Sequence, residues 1–318
     1  MDIQYLLFLQ GIRDAAGGIL TPVMLIISHL ATIGAGVLCV VLFWGIDREM
    51  GYWVIINSML GFLVNNVIKL TACIYRPWIR DPRILPPERA LKTATGYSFP
   101  SGHTQFAASS YGSLAQRYVK ERRALCTLCS VMIFLAAFSR NYLGVHTPQD
   151  VIVAILCSLA IIKACAVMEK RIRSDPALLD KALLAICVIA VLCAVYFHFK
   201  SYPMDYEDGR LIVDPREMKA DGYSSVGAVL GTMIGMMLEK RFVRFRTDGP
   251  VWRRGIRVIA GLTVPAAAYL LGRQPLYTLI GRDAGHLVLF AFLTLYAVWI
   301  YPAVFTAVRK RFVTEETG

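Results

Sequence analysis

The run Ser139-Arg140-Asn141-Tyr142-Leu143-Gly144-Val145-His146-Thr147-Pro148-Gln149-Asp150 puts a guanidinium, an imidazole and a carboxylate into one short stretch between two apolar segments. An arginine holds a phosphate through two parallel charge-assisted hydrogen bonds. A histidine four residues before an aspartate can have one ring nitrogen fixed by the carboxylate while the other attacks. Two further polar islands interrupt apolar sequence upstream: Lys69 with Arg76-Pro77, and Pro100-Ser101-Gly102-His103. Taken singly, each reads equally well as an ordinary membrane-edge loop. Taken together and in order, they read as parts of one phosphate pocket.

A phosphate ester carries its charge on nonbridging oxygens, and the transition state spreads that charge over equatorial positions. Catalysis therefore needs fixed positive groups, an in-line nucleophile and a proton for the leaving oxygen. Lys69, Arg76 and Arg140 supply the positive groups in this reading. A lysine at a membrane-embedded helix end calls for an anion or a carboxylate partner, or else snorkels to the interface. Arg76-Pro77 also reads as a plain helix stop. Ser101 and Gly102 stand where a helix should begin, and amides at a helix N-terminus bind anions while glycine permits close approach. An N-cap is the simpler reading of Ser101. His103 is placed to protonate a departing alkoxide, and His146 is the candidate nucleophile with Asp150 as its partner. Two histidines and one aspartate also suit zinc, but three neighbouring cations oppose a metal there.

The elements that must position these groups are membrane helices. Across 318 residues the chain is 56% hydrophobic with a mean hydropathy of +0.53, more apolar surface than a soluble fold can bury. The formal charge of +12 comes from short basic clusters between apolar runs, which act as topology determinants. No basic, aromatic-interleaved segment or zinc-finger spacing points to nucleic acid. The eight cysteines lie in or beside apolar runs and read as packing residues; Cys126-x-x-Cys129 lacks the strand-helix context of a redox motif. No cleaved signal peptide or lipidation motif is expected.

Residues 3–15 read as a short helix lying on the membrane surface. Runs long enough to cross a bilayer, about twenty residues, follow at 19–45, 52–75, 124–142, 148–169, 178–200, 223–242, 253–272 and 283–308. The stretch 102–120 is more polar, yet a helix buried among others tolerates small and polar residues, which makes about nine spans. Basic clusters at 117–123, 170–173, 240–257 and 309–311 fall on one side if nine spans alternate. That side is then cytoplasmic, with the N-terminus and all three polar islands on the other. The five basic residues of the loop 76–100 run against this pattern locally. Residues 201–222 read as an acidic outer loop. Gly227, Gly231 and Gly235 make a ridge for close helix approach, within the chain or across a homodimer.

Lys69-x6-Arg76-Pro77, Pro100-Ser101-Gly102-His103 and Ser139-Arg140-x5-His146-x3-Asp150 resemble the three signature motifs of the type 2 phosphatidic acid phosphatase (PAP2) superfamily. That group also includes glucose-6-phosphatases and vanadium haloperoxidases. The likeness is complete at every motif position and covers about residues 60–165. It implies an all-α, polytopic helical bundle and metal-independent hydrolysis, without a cofactor, through a phosphohistidine on His146. It further implies His103 as the acid, Asp150 as the partner of His146, and Lys69, Arg76, Ser101, Gly102 and Arg140 as phosphate ligands. In layout the chain is similar to sphingosine-1-phosphate phosphatases and glucose-6-phosphatases. The expected division is an N-terminal interfacial helix (1–17), a catalytic transmembrane core (18–200) and a C-terminal transmembrane extension (201–318).

The leading functional reading is a lipid phosphate phosphatase working among membrane lipids. Its membrane is a bacterial plasma membrane with the site outside, or the endoplasmic reticulum if the source is eukaryotic. The same chemistry also fits a polyprenyl diphosphate, a soluble sugar phosphate or transfer of a phospho-headgroup to another lipid. A transporter or scaffold with a dead site fits less well with His103, His146 and Asp150 all in place. A neutral His146 working with a protonated His103 predicts a bell-shaped rate profile peaking on the acidic side of neutral.

Overall fold

The computed structural model describes residues 1–207 and 209–315, with side chains up to Arg309. Asp208 of the acidic stretch, and the side chains of Lys310 and Arg311 in the last basic cluster, lie outside the described residues. The helices are α1 (Asp2–Ala15), α2 (Thr21–Ile46), α3 (Arg48–Ala72), α4 (Gly102–Tyr118), α5 (Arg123–Tyr142) and α6 (Pro148–Ser174). After these come α7 (Leu178–Phe199), α8 (Pro215–Leu238), α9 (Val251–Ile280) and α10 (Arg282–Arg309). A two-stranded antiparallel hairpin, β1 (Tyr206–Glu207) with β2 (Arg210–Leu211), interrupts the helices.

Seven helical segments are long and apolar enough to cross a membrane, among the described residues: those of α2, α3, α5, α6, α7, α9 and α10. The chain is a multi-pass integral membrane protein. The expected count of nine is met only to seven, because α4 and α8 form as helices without reaching that length and apolarity. The reason for α4 is visible in its packing: Gln105, Ser109, Ser110 and Ser113 are all buried, facing other helices and not lipid.

The helix boundaries follow local chemistry. Asp47 is extended and its carboxylate accepts the amide of Met50, at 3.0 Å, which starts α3. The acidic loop expected over 201–222 ends sooner than its charge suggested. Asp214 accepts the Arg216 amide at 2.8 Å and Pro215 takes the first helical position, so α8 begins there. All eight cysteines are free thiols.

Two compact units share the chain. The first comprises residues 1–38, 60–166 and 199–219. In it α4 packs closely on its neighbours through small residues. A Cβ on Gly61 would lie 2.3 Å from Ser109 Oγ, and one on Gly112 would lie 2.9 Å from Ile162 Cδ1. Two buried hydroxyls between α4 and α6 are satisfied, Ser109 Oγ donating to Ser158 Oγ (3.1 Å) and Ser158 Oγ to the Gln105 carbonyl (3.1 Å). Helix α1 is tied to the loop after α3: Gln10 donates to the Arg83 carbonyl and accepts from the Leu85 amide, and Arg13 donates to the Leu85 carbonyl at 2.6 Å.

The second unit comprises residues 39–59, 167–198 and the chain from Ala220 onward. Here the glycine ridge of α8 meets α10 of the same chain. A Cβ on Gly227 would sit 2.1 Å from the Leu287 carbonyl oxygen, and one on Gly231 would sit 2.2 Å from that of Ala291. The ridge is thus used for intrachain packing. Elsewhere in this unit Arg257 of α9 is buried, donating to the carbonyls of Trp44, Arg246 and Asp248 and standing 4.3 Å over the Phe305 ring.

Candidate active site

Every sequence-expected site residue lies in the first unit, carried on the end of α3, the loop after it, the start of α4, the end of α5 and the start of α6. His146 occupies the short link between α5 and α6 and is 1% exposed. Its Nδ1 lies 3.2 Å from Asp150 Oδ2 and its Nε2 lies 2.9 Å from Arg76 Nη1. Arginine has donors only, so Nε2 must carry the lone pair and Nδ1 the hydrogen that goes to Asp150. Burial, and after it the neighbouring Arg76 charge, pushes the imidazolium well below its ordinary range against the pull of Asp150. Both effects favour the neutral ring, with Nε2 turned toward the Arg76 guanidinium.

Asp150 is held from several directions. Its Oδ2 also accepts from Ser98 Oγ (2.5 Å) and from the Thr147 amide (2.8 Å). The Thr147 bond is made possible by Pro148 opening α6, since a carboxylate in the first turn caps amides just before it. Asn141 Nδ2 donates to the His146 carbonyl at 2.9 Å and fixes the link itself.

The two arginines are both fully enclosed but differently occupied. Arg76 gives Nε to the Gly96 carbonyl (3.1 Å), Nη1 to Val145 (3.0 Å) and Nη2 to Thr95 (2.8 Å). Gly96 is a position where glycine is required: its φ is +64°, and a Cβ there would meet Met218 Sδ at 1.9 Å. Arg140 donates from Nη1 to Ser28 Oγ at 2.5 Å, while its Nε and Nη2 are buried with no partner. A buried guanidinium with two open donors is costly unless an anion fills the space.

Ser101 is the N-cap of α4, accepting from the Thr104 amide (3.4 Å) and hydroxyl (3.0 Å), so its simpler reading holds. Its own O–H proton remains for a ligand. The Ser101 amide donates to the Asp150 carbonyl at 3.0 Å, which joins the second and third islands directly. A Cβ on Gly102 would lie 3.9 Å from Lys69 Nζ, bringing the ammonium to the mouth of that helix. His103, half-buried in the first turn of α4, lies within electrostatic range of Arg140, His146, Arg76 and Lys69.

Sequence reasoning did not find Ser98, Thr147, Asn141 or Ser28, nor the carbonyls of Thr95, Gly96 and Val145. These are generic residue types or backbone groups, and spacing alone gives them no signal. The proline-terminated start of α6 was the one available hint for Thr147.

Fold and site together define a polytopic helical membrane protein with a buried histidine set between a carboxylate and a guanidinium, close to a second enclosed arginine. The chain matches the family model for the PAP2 superfamily over residues 50–174. It also matches the model for the PAP2 superfamily phosphatase transmembrane extension over residues 223–311. The chain belongs to the PAP2 superfamily. It is 39% identical over 80 residues to phosphatidylglycerophosphatase B of Escherichia coli (strain K12), covering 24% of this chain and 31% of that one. It is 31% identical over 103 residues to phosphatidylglycerophosphatase B of Bacillus subtilis (strain 168), covering 30% and 50%. Undecaprenyl-diphosphatase of Sulfolobus acidocaldarius is 28% identical over 107 residues, covering 33% and 48%. The matched part thus spans between about a third and half the length of these curated relatives. No solved structure matches the chain.

Proposed function

We propose that this protein is a membrane-embedded lipid phosphate phosphatase that hydrolyses a phosphomonoester through a phosphohistidine on His146, without a metal. The observation that carries the reading is the His146 ring, with Nδ1 on Asp150 and Nε2 toward Arg76, beside an Arg140 with two open buried donors. In the first step His146 Nε2 attacks phosphorus and the P–O bond to the lipid breaks. The leaving alkoxide takes a proton from His103, and Asp150 stabilises the positive charge that the imidazole acquires. Arg140, Arg76, Lys69, Ser101 and the amide end of α4 at Gly102 hold the phosphoryl oxygens as charge spreads over them. Water then attacks the phosphohistidine with His103 as base, which releases phosphate and restores the resting state.

In this reading residues 18–200 form the catalytic core, 201–318 the extension and 1–17 an interfacial helix. The site opens on the non-cytoplasmic face, by the distribution of basic loops, in a bacterial plasma membrane or in the endoplasmic reticulum of a eukaryote. A polyprenyl diphosphate is the second substrate reading, favoured by the undecaprenyl-diphosphatase relative. Phosphate release from detergent-solubilised lipid phosphates, run with chelator present, tests the proposal. Release is expected to persist in chelator and to vanish in His146→Ala, and release surviving that substitution refutes the mechanism. Parallel assays on phosphatidylglycerol phosphate and undecaprenyl diphosphate rank the substrates.

A further inference from the structure

Both ring nitrogens of His146 are seated from one short stretch of the loop between α3 and α4. On the Nε2 side, the carbonyls of Thr95 and Gly96 hold Arg76. On the Nδ1 side stands Ser98, 1% exposed, with its Oγ 2.5 Å from Asp150 Oδ2 and 3.4 Å from Nδ1 itself. The Ser98 amide donates to the Ile74 carbonyl at 2.7 Å, which fixes the residue to the chain between Lys69 and Arg76. Ser98 thereby joins the three polar islands: it bonds Ile74 in the first, lies two residues ahead of Pro100 in the second, and meets His146 and Asp150 in the third.

A hydroxyl has one proton to give. In Ser98 it goes to the carboxylate, because a 2.5 Å separation from a charged acceptor marks the stronger bond. Toward His146 the same oxygen is left as an acceptor, at 3.4 Å, where a hydrogen bond is weak. Asp150 Oδ2 then takes three donors: Ser98 Oγ, the Thr147 amide (2.8 Å) and His146 Nδ1 (3.2 Å). Its charge is shared among them, so each donor weakens its pull on the imidazole proton. We propose that Ser98 is a positioning residue for the reaction of His146, keeping the hydrogen on Nδ1 and tempering the hold of Asp150 on it, so that Nε2 retains the lone pair. This rests on the reading of His146 as the group that attacks phosphorus. Without the hydroxyl, Asp150 keeps two donors and binds the imidazolium more tightly. Loss of the 3.4 Å contact acts in the opposite sense and is the smaller of the two. The ring then takes up its proton at higher pH, where it should be neutral for attack. The other charged and titratable groups facing His146 are Arg76 after α3, Arg140 of α5 and His103 of α4, and a change at Ser98 alters none of them.

The full-length protein carrying ¹⁵N-labelled histidine, purified in mild detergent, tests this by nuclear magnetic resonance. Ring-nitrogen shifts report the tautomer and protonation of each of the five histidines, and His146→Asn identifies the resonance of interest. Ser98→Ala is expected to raise the His146 titration midpoint by about 0.5–1 pH unit, and to move the acid limb of kcat/KM in the same direction. Ser98→Thr, which keeps the hydroxyl, is expected to return both to the wild-type position. If Ser98→Ala does not fold, Ser98→Cys decides through a smaller upward shift, since a thiol is the weaker donor. An unmoved or lowered midpoint, or no recovery in Ser98→Thr, overturns the assignment. The midpoint is read without substrate, so an upward shift in a protein that releases no phosphate tells failure of the phosphatase reading apart from failure of the Ser98 role.

Discussion

Two buried arginines, one in each unit, show how the same side chain serves two ends. Arg257 lies 3% exposed with three backbone carbonyls on its Nη atoms and an aromatic ring beneath it. It is a strut that ties Trp44 and the residues before α9 to the helix. Arg140 is wholly buried as well, yet only one of its nitrogens has a protein partner. Arg257 leaves one donor, Nε, without a partner and Arg140 leaves two, Nε and Nη2, each unpaired buried donor costing about 1–3 kcal/mol. The difference is that Arg257 gives both Nη atoms to backbone carbonyls, whereas Arg140 keeps Nη2 unpaired within the candidate site.

That contrast can be broken by mutation. The largest effect is expected one bond away from it. Asp150→Asn removes the carboxylate that fixes the tautomer of His146, so kcat should fall by about 10³–10⁴-fold with little change in KM; steady-state kinetics on a soluble phosphomonoester checks this. Next, Arg140→Lys should lower kcat/KM by about 10²–10³-fold while leaving the thermal midpoint nearly unchanged. Arg257→Lys should do the reverse, costing about 1–3 kcal/mol of stability and sparing kcat/KM. Equal losses in both properties for both variants would erase the distinction.

A smaller effect concerns pH. Because burial and Arg76 depress the folded-state pKa of His146 below 6.5, its neutral form persists as pH falls past the unfolded value. The acid limb of kcat/KM should therefore lie below pH 6.5. The linkage has the same sign: the unfolded chain binds the proton first, so stability falls as pH drops through that window and is recovered above it. An acid limb above neutrality would contradict the assignment. The smallest expected effect is at Gly96, whose carbonyl seats Arg76. Gly96→Ala should reduce kcat/KM by about tenfold by displacing that carbonyl, and Met218→Ala in the same chain should recover part of the loss.

Much of this molecule was readable before its structure. Arg140, His146 and Asp150 announced themselves because charged side chains inside apolar sequence are expensive and need a purpose. The spans were readable for the same reason in reverse. Less legible were the groups that make the site rigid. Ser98 sits in a loop of ordinary composition, and the carbonyls that cage Arg76 have no sequence at all. The start of α8 was misread because the acidic residues from Asp214 to Asp221 resemble a loop, whereas Asp214-Pro215 is a helix-opening pair. Nor could spacing say which nitrogen of His146 faces the cations; that required the position of Arg76.

The most direct test of the central claim is to quench the enzyme during turnover of a ³²P-labelled lipid phosphate and map the label. The account predicts acid-labile phosphate on His146, attached at Nε2 and absent from His146→Ala. Label on another residue, attachment at Nδ1, or turnover without any trapped phosphoprotein in rapid-quench and His103→Ala samples would contradict it.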